Sequence, residues 1–172
     1  MDPFQVLGIA PSFDVDLDAV ARTHRDLSRA LHPDRFVGAG PSERRAALGK
    51  AVEVNEAFRI VRDPIQRADA LLRRSGVTVR EEGGPPADPD FLMEMLERRE
   101  ALAEARRARD LAAVRVLAAA IDARERETEA ALSAAFARPA LDADAVQTKL
   151  AELRFYRRFL EEVSAIEDEL AA

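Results

Sequence analysis

The sequence predicts an all-α protein in two parts: a helical hairpin with short flanking helices, then a three-helix bundle. Three observations carry this. Ala, Leu, Arg and Glu dominate, aromatic residues make up 5% with no Trp, and β-branched runs are few, which favours helix over strand. Apolar residues recur at helical spacing through both halves. Between the halves, residues 80–90 are dense in Gly, Pro and acidic residues and have no apolar period, which marks a boundary. The expected division is therefore 1–79, a linker at 80–89, and 90–172.

Asp2 caps a first short helix with Pro3 at its first position, and Gly8 with Pro11 ends it. A second helix starts near Asp14 or Asp16, with an apolar stripe of Leu17, Val20, Ala21, His24, Leu27 and Ala30 or Leu31. Proline excludes the residue before it from the helical region, so His32 is extended and the helix stops at Leu31. A loop containing Gly38-Ala39-Gly40-Pro41 follows. Ser42 is the expected cap of the third helix, with Glu43 in its first turn and Ala47, Ala51, Val54, Phe58 and Val61 buried. Asp63-Pro64 stops that helix and begins a fourth, carrying Ile65, Ala68, Leu71 and Leu72 as far as Ser75-Gly76. The second and third helices read as an antiparallel hairpin. Beyond the linker, Asp90 to about Arg107, Asp110 to Phe136 and Leu141 to Leu170 read as three long helices with short connections, hence a bundle.

Composition excludes several functions. The absence of Cys removes disulfides, zinc fingers and thiolate-held iron–sulfur clusters, so no resident metal or cofactor is expected. A net charge of −6 argues against nucleic acid as the main partner. Met1 to Gln5 lack a basic stretch leading into an apolar one, and no window approaches the ~20 apolar residues needed to cross a bilayer. A cytoplasmic protein without a membrane partner is the expectation. Charge is uneven: residues 1–76 hold 12 Lys and Arg against 11 Asp and Glu, and residues 77–172 hold 14 against 21. The two halves should prefer different partners.

The most informative tripeptide is His32-Pro33-Asp34, which offers an imidazole, a rigid bend and a carboxylate at an exposed helix end. The bland reading is that Asp34 closes a turn. No nucleophile or second titratable cluster stands nearby in sequence, so catalysis is not expected. Arg22, Arg25 and Arg29 are spaced i, i+3, i+7 and form one basic ridge that Arg35 extends. Such a ridge is often only a solvated face. His24, on the apolar stripe, reads as a packed histidine. In the second half, Glu97, Glu100 and Glu104 repeat the i, i+3, i+7 spacing, and like charges there cost a few tenths of a kcal/mol per pair. Leu92, Met93 and Leu96, one turn earlier, form with them either an apolar patch with an acidic rim or simply core.

The helix, His32-Pro33-Asp34 and the following helix with Asn55-Glu56-Ala57-Phe58 resemble a J-domain. Asp63-Pro64, Arg67-Ala68, Leu71-Leu72, Phe91-Leu92-Met93-Glu94-Met95-Leu96-Glu97 and Leu153-Arg154-Phe155 extend this to a resemblance to the HscB family of iron–sulfur cluster co-chaperones, over nearly the whole chain. The resemblance implies that Arg22, Arg25, Arg29, His32, Pro33, Asp34 and Arg35 dock an HscA/DnaK-type chaperone ATPase. The family often has lysines in this ridge and an aromatic residue where His24 stands; arginine keeps the charge and adds bidentate hydrogen bonding. It implies further that Leu92, Met93, Leu96, Glu97, Glu100, Glu104 and Phe155 dock an IscU-type scaffold, and that ATP hydrolysis belongs to the partner, so this chain is no enzyme. A J-protein delivering another client, an inert adaptor with a J-fold, and a small helical enzyme stand as alternatives.

Overall fold

The computed structural model describes residues 1–79 and 88–171, which are helical with no strand among them. They fall into two compact units that divide after Val79. Most of the expected linker lies outside the described residues.

In the first unit, α1 (Pro3–Leu7) is capped by the Asp2 carboxylate, which accepts from the Phe4 N–H at 3.0 Å, and is closed by Gly8 in the left-handed region (φ 66°). Helix α2 (Leu17–Ala30) starts from the Asp16 cap and ends where Pro33 requires, with His32 extended. What reads as loop in sequence contains one 3-10 turn, Pro33–Phe36. Helix α3 (Pro41–Arg62) begins two residues before the expected start. Its N-cap is Gly40, not Ser42, because Pro41 supplies a preset φ and needs no N–H partner, and the Glu43 carboxylate accepts from the Gly40 N–H at 3.4 Å. Helix α4 (Pro64–Arg74) is capped by Asp63, which accepts from the Gln66 N–H at 2.9 Å.

The core of this unit gathers Phe4, Leu7, Phe13, Val20, Val54, Ala57, Val61, Ile65, Ala68 and Leu72. Each fully buried large side chain contributes roughly 1.5–3 kcal/mol. Two expectations shift. Leu17 stands at the first position of α2 and is 47% exposed, and the buried side of α3 includes Ala57 while Ala51 and Phe58 are only half-buried. α3 packs on α1, α2 and α4, so its buried arc is broader than one stripe. Arg67 is buried too. Its Nη1 donates to the Val61 carbonyl at 2.7 Å and its guanidinium lies 4.9 Å from the Phe13 ring centroid, so it ties the end of α3 to α4. An ion pair between Asp2 and Arg74 fastens the ends of the unit.

The second unit contains α5 (Pro89–Arg107), α6 (Leu111–Phe136) and α7 (Ala143–Ala171). Asp88 caps α5, whose start at Pro89 is one residue earlier than the expected start at Asp90. Arg109, with φ 53°, reverses the chain, and Asp110 caps α6 by accepting from the Ala113 N–H at 3.0 Å. Helix α7 supplies most of the core through Val146, Leu150, Leu153, Tyr156, Phe159, Val163 and Ile166, against Val114, Ile121 and Leu132 of α6. From α5 only Met95, Leu102 and Ala105 are buried. That leaves most of α5 facing outward.

Candidate functional sites

The first site stands on α2 and the 3-10 turn. Because the turn starts at a proline, His32 sits at its N-cap position. Its Nδ1 accepts the Asp34 N–H at 3.3 Å, and Asp34 Oδ2 lies 3.5 Å from the same nitrogen. The imidazole thus holds the turn while the carboxylate, 87% exposed, points to solvent. The Asp34 carboxylate makes no capping bond among the described residues; the turn is held from the His32 side. Arg22, Arg25, Arg29 and Arg35 are all exposed. Arg22 and Arg29 stand at long ion-pair distances from Asp16 (3.8 Å) and Asp26 (3.5 Å), and Arg25 and Arg35 have no ion-pair partner among the described residues. Loose surface pairs of this kind hold a cation weakly, so the ridge keeps its charge available to a binding partner.

His24 is packed, as its place on the stripe requires. Its ring lies on Phe58 of α3 and Nε2 pairs with Asn55 Oδ1 at 2.9 Å. Next along α3, Glu56 holds Arg59 through two hydrogen bonds of 2.6 and 3.0 Å, which lowers the Glu56 carboxyl pKa from its ordinary value.

The second site stands on α5 and α7. Leu92 is 49%, Met93 58% and Leu96 54% exposed, so the core reading of these residues does not hold. Met95, between them in sequence, takes the buried position, about 60° around the helix from Leu92 and 100° from Leu96. Glu97, Glu100 and Glu104 continue the exposed face, and none has an ion-pair partner among the described residues. Phe155 of α7, half-buried, joins this face. Its ring meets Phe91 edge-on at 5.8 Å, and with Leu92, Ala151 and Arg158 it lines a shallow cleft between α5 and α7. The Arg99 and Arg158 guanidinium groups lie 5.3 and 5.6 Å from its ring centroid.

The sequence reading missed Arg99 and Arg158. Arg158 is three residues after Phe155, on the same helical face, so spacing from Phe155 was the available signal. It also missed Glu94, which is turned inward to Arg98 (2.7 Å) and to Arg124 of α6 (3.3 Å) and so sets which side of α5 faces out. The hydrogen bond from Arg98 and the charge of Arg124 hold its carboxyl below the usual carboxylate range, against the opposing effect of burial. Among the described residues no group of three or more His, Asp or Glu side chains is placed to hold a metal ion, and no helix is long and apolar enough to cross a membrane.

Residues 87–164 match a family described as "HSCB C-terminal oligomerisation domain". The chain is 41% identical to the co-chaperone protein HscB homolog of Bordetella petrii over 105 residues, which is 61% of this chain and 62% of that one. Its alignments to two Shewanella homologues likewise span 63% of their length. The homologue of Cupriavidus taiwanensis aligns far more fully, 36% identical over 98% of this chain and 95% of its own. Among solved structures, chaperone HscB from Vibrio cholerae superposes with a TM-score of 0.86 at 30% identity, covering 99% of both chains. Human co-chaperone HscB gives 0.88 at 26% identity, covering 97% of this chain and 82% of that one. With both halves matched in order and the fold shared along the chain, the protein belongs to the HscB family of co-chaperones.

Proposed function

We propose that this protein binds an IscU-type iron–sulfur scaffold on its second unit and presents it to an HscA/DnaK-type chaperone, whose ATPase its first unit stimulates in the cytoplasm. The observation that carries the reading is the exposure of Leu92, Met93 and Leu96 beside a row of glutamates without ion-pair partners among the described residues. A free chain keeps three large apolar side chains in water at a cost unless a partner covers them. Phe155, fixed by Phe91 and two guanidinium groups, supplies a preordered aromatic anchor next to the patch. The glutamates favour a partner surface with cations around an apolar centre.

On the first unit, the arginine ridge steers an acidic face of the ATPase toward Asp34, which the His32 cap holds outward. Asp34 then favours the hydrolysing state of the chaperone by binding it better than the alternative, since a partner shifts an equilibrium only by differential affinity. The chemistry is the chaperone's own. This chain contributes placement of the client and a bias on the ATPase.

The test is single-turnover ATP hydrolysis by a purified DnaK-type chaperone with this protein, the scaffold, or both. Stimulation by the protein alone, and a further rise with scaffold, is the expected result. A purified scaffold that fails to bind while stimulation persists would leave a J-protein for another client.

A further inference from the structure

The cleft between α5 and α7 holds one charged group that the chain itself does not use. It has a volume of about 130 Å³, an apolar wall of Phe91, Leu92, Ala151 and Phe155, and three charged lining residues, Asp88, Glu152 and Arg158. Sites for small-molecule ligands run to ~300–1,000 Å³, so this one suits a single side chain. Glu152 is taken within the chain, by Lys149 at 2.8 Å and the Thr128 hydroxyl at 3.4 Å, and the Asp88 carboxylate caps α5. Arg158 is exposed and has no ion-pair partner among the described residues. Its guanidinium lies 5.6 Å from the Phe155 ring centroid, which restrains the cation without neutralising it. Arg99 pairs with Glu162, and Arg106, seven residues on, with Glu169, so α5 and α7 run parallel in this register. Arg158 is thereby level with Met95, whereas Asp88 stands two turns, about 10 Å, before it.

The exposed face of α5 is zoned. With Leu92 as origin and about 100° per residue, Arg99 stands roughly 20° toward α7, where it meets Glu162; Leu96 stands about 40° the other way, and Glu100, Glu104 and Glu97 follow at about 80°, 120° and 140°. The order from α7 across α5 is therefore cation, apolar, anion. Neighbouring charges leave it intact: Glu161, three residues past Arg158, stands about 60° farther around α7 from Phe155, and Arg107, in the last turn of α5, is seven residues beyond Glu100. We infer that Arg158 sets the specificity of the scaffold site by receiving a carboxylate of the scaffold, next to an apolar scaffold side chain that fills the cleft. This rests on the reading that the second unit binds an IscU-type scaffold. A guanidinium binds a carboxylate through two parallel hydrogen bonds, which fixes geometry as well as charge. With the glutamates on the other flank of the apolar strip, the face admits the scaffold in one orientation, its acidic flank on α7 and its basic flank on α5. A second copy of this chain carries matching charges but meets the cleft with a cleft of its own, where a projecting side chain is needed.

The experiment is calorimetry of the full chain with a purified IscU-type scaffold across a salt series, beside chaperone ATPase stimulation without scaffold and circular dichroism melts. R158M keeps an apolar stem against Phe155 and loses the charge. It is expected to bind about ten-fold more weakly and R158E about a hundred-fold, with the gap between the two closing as salt rises. E161K, a charge change outside the cleft, should alter affinity by less than about two-fold. Melts and unaided stimulation should match wild type throughout. Wild-type affinity in R158M would overturn the inference. So would equal losses in R158M and R158E at every salt concentration, which would leave Arg158 as a prop for Phe155, or an E161K effect as large as that of R158E, which would leave it one charge in a general field. Self-association of wild type that R158E abolishes while scaffold affinity holds would assign the cation to a second copy and overturn it too. A wild type that does not bind scaffold removes the proposed scaffold role and this inference with it; a wild type that binds beside unaffected R158M and R158E removes the inference alone.

Discussion

His24 stacks on Phe58 with ring centroids 4.2 Å apart and planes 16° from parallel, and its Nε2 pairs with Asn55 Oδ1 one turn earlier on α3. One side chain thus makes both an apolar and a polar contact across the hairpin. His24→Ala removes both and leaves the Asn55 amide facing an empty seam, so it should destabilise the first unit by roughly 1–2 kcal/mol. His24→Phe restores the stack alone and should recover a good part of that. Denaturant unfolding of the three proteins checks it; an alanine variant as stable as wild type would show the seam holds without this residue.

His32→Gln and Asp34→Asn should each abolish ATPase stimulation while shifting stability by no more than about 0.5 kcal/mol. Both side chains are solvent-facing, and exposed substitutions away from the core rarely do more. The His32 cap bond is local to a four-residue turn, so its loss frays the turn without reaching the core. Single-turnover hydrolysis beside thermal melting tests this. Normal stimulation by either variant would remove Asp34 and its cap from the mechanism.

Replacing Leu92, Met93 and Leu96 together with Ala should eliminate scaffold binding and leave chaperone stimulation without scaffold as it was. All three are about half exposed, so the bundle keeps its core of Met95, Leu102 and Ala105 on α5. Interface energy concentrates in such anchors, often ~2 kcal/mol or more each on truncation. Calorimetry with purified scaffold and circular dichroism of the variant are the measurements. A triple variant that unfolds would mean these residues support the bundle instead.

The helices of the first unit were legible because their ends are written in residues with one dominant effect: Asp2, Asp16 and Asp63 as caps, Pro33 and Pro64 as stops. Ser42 misled because a proline one residue earlier outweighs a good capping side chain. The exposure of Leu92 and Leu96 was not legible from spacing, since the pattern of α5 is apolar on several sides; tertiary packing decided that Met95 turns inward. Arg67 was invisible for a similar reason. A buried arginine is read correctly only when the Val61 carbonyl and the Phe13 ring that receive it are known. The tripeptide at 32–34 was legible in position, whereas the His32 cap bond needed the geometry of the turn.

Glu94 should make the attachment of α5 depend on pH. Its carboxyl accepts from Arg98 and faces Arg124 of α6, and these cations hold its pKa below the ordinary 4.5. A depressed folded-state pKa adds stability that is fully present above the unfolded value and is lost as pH falls through the folded one. Glu94→Gln imitates the protonated form, and for a partly exposed pair the loss near pH 7 should be a few tenths to about 1 kcal/mol. The gap between wild type and E94Q should then narrow as pH drops below 4.5 and close once wild-type Glu94 is itself protonated. Because α5 buries only three side chains, the effect should concentrate there, as faster amide exchange in residues 89–107 of E94Q at pH 7. A gap that stays constant from pH 7 down to pH 3 would mean the Glu94 charge does not hold α5 to the bundle. Protection in α5 unchanged by E94Q would mean that the orientation of Leu92, Met93 and Leu96 is set by Met95 and Leu102 alone.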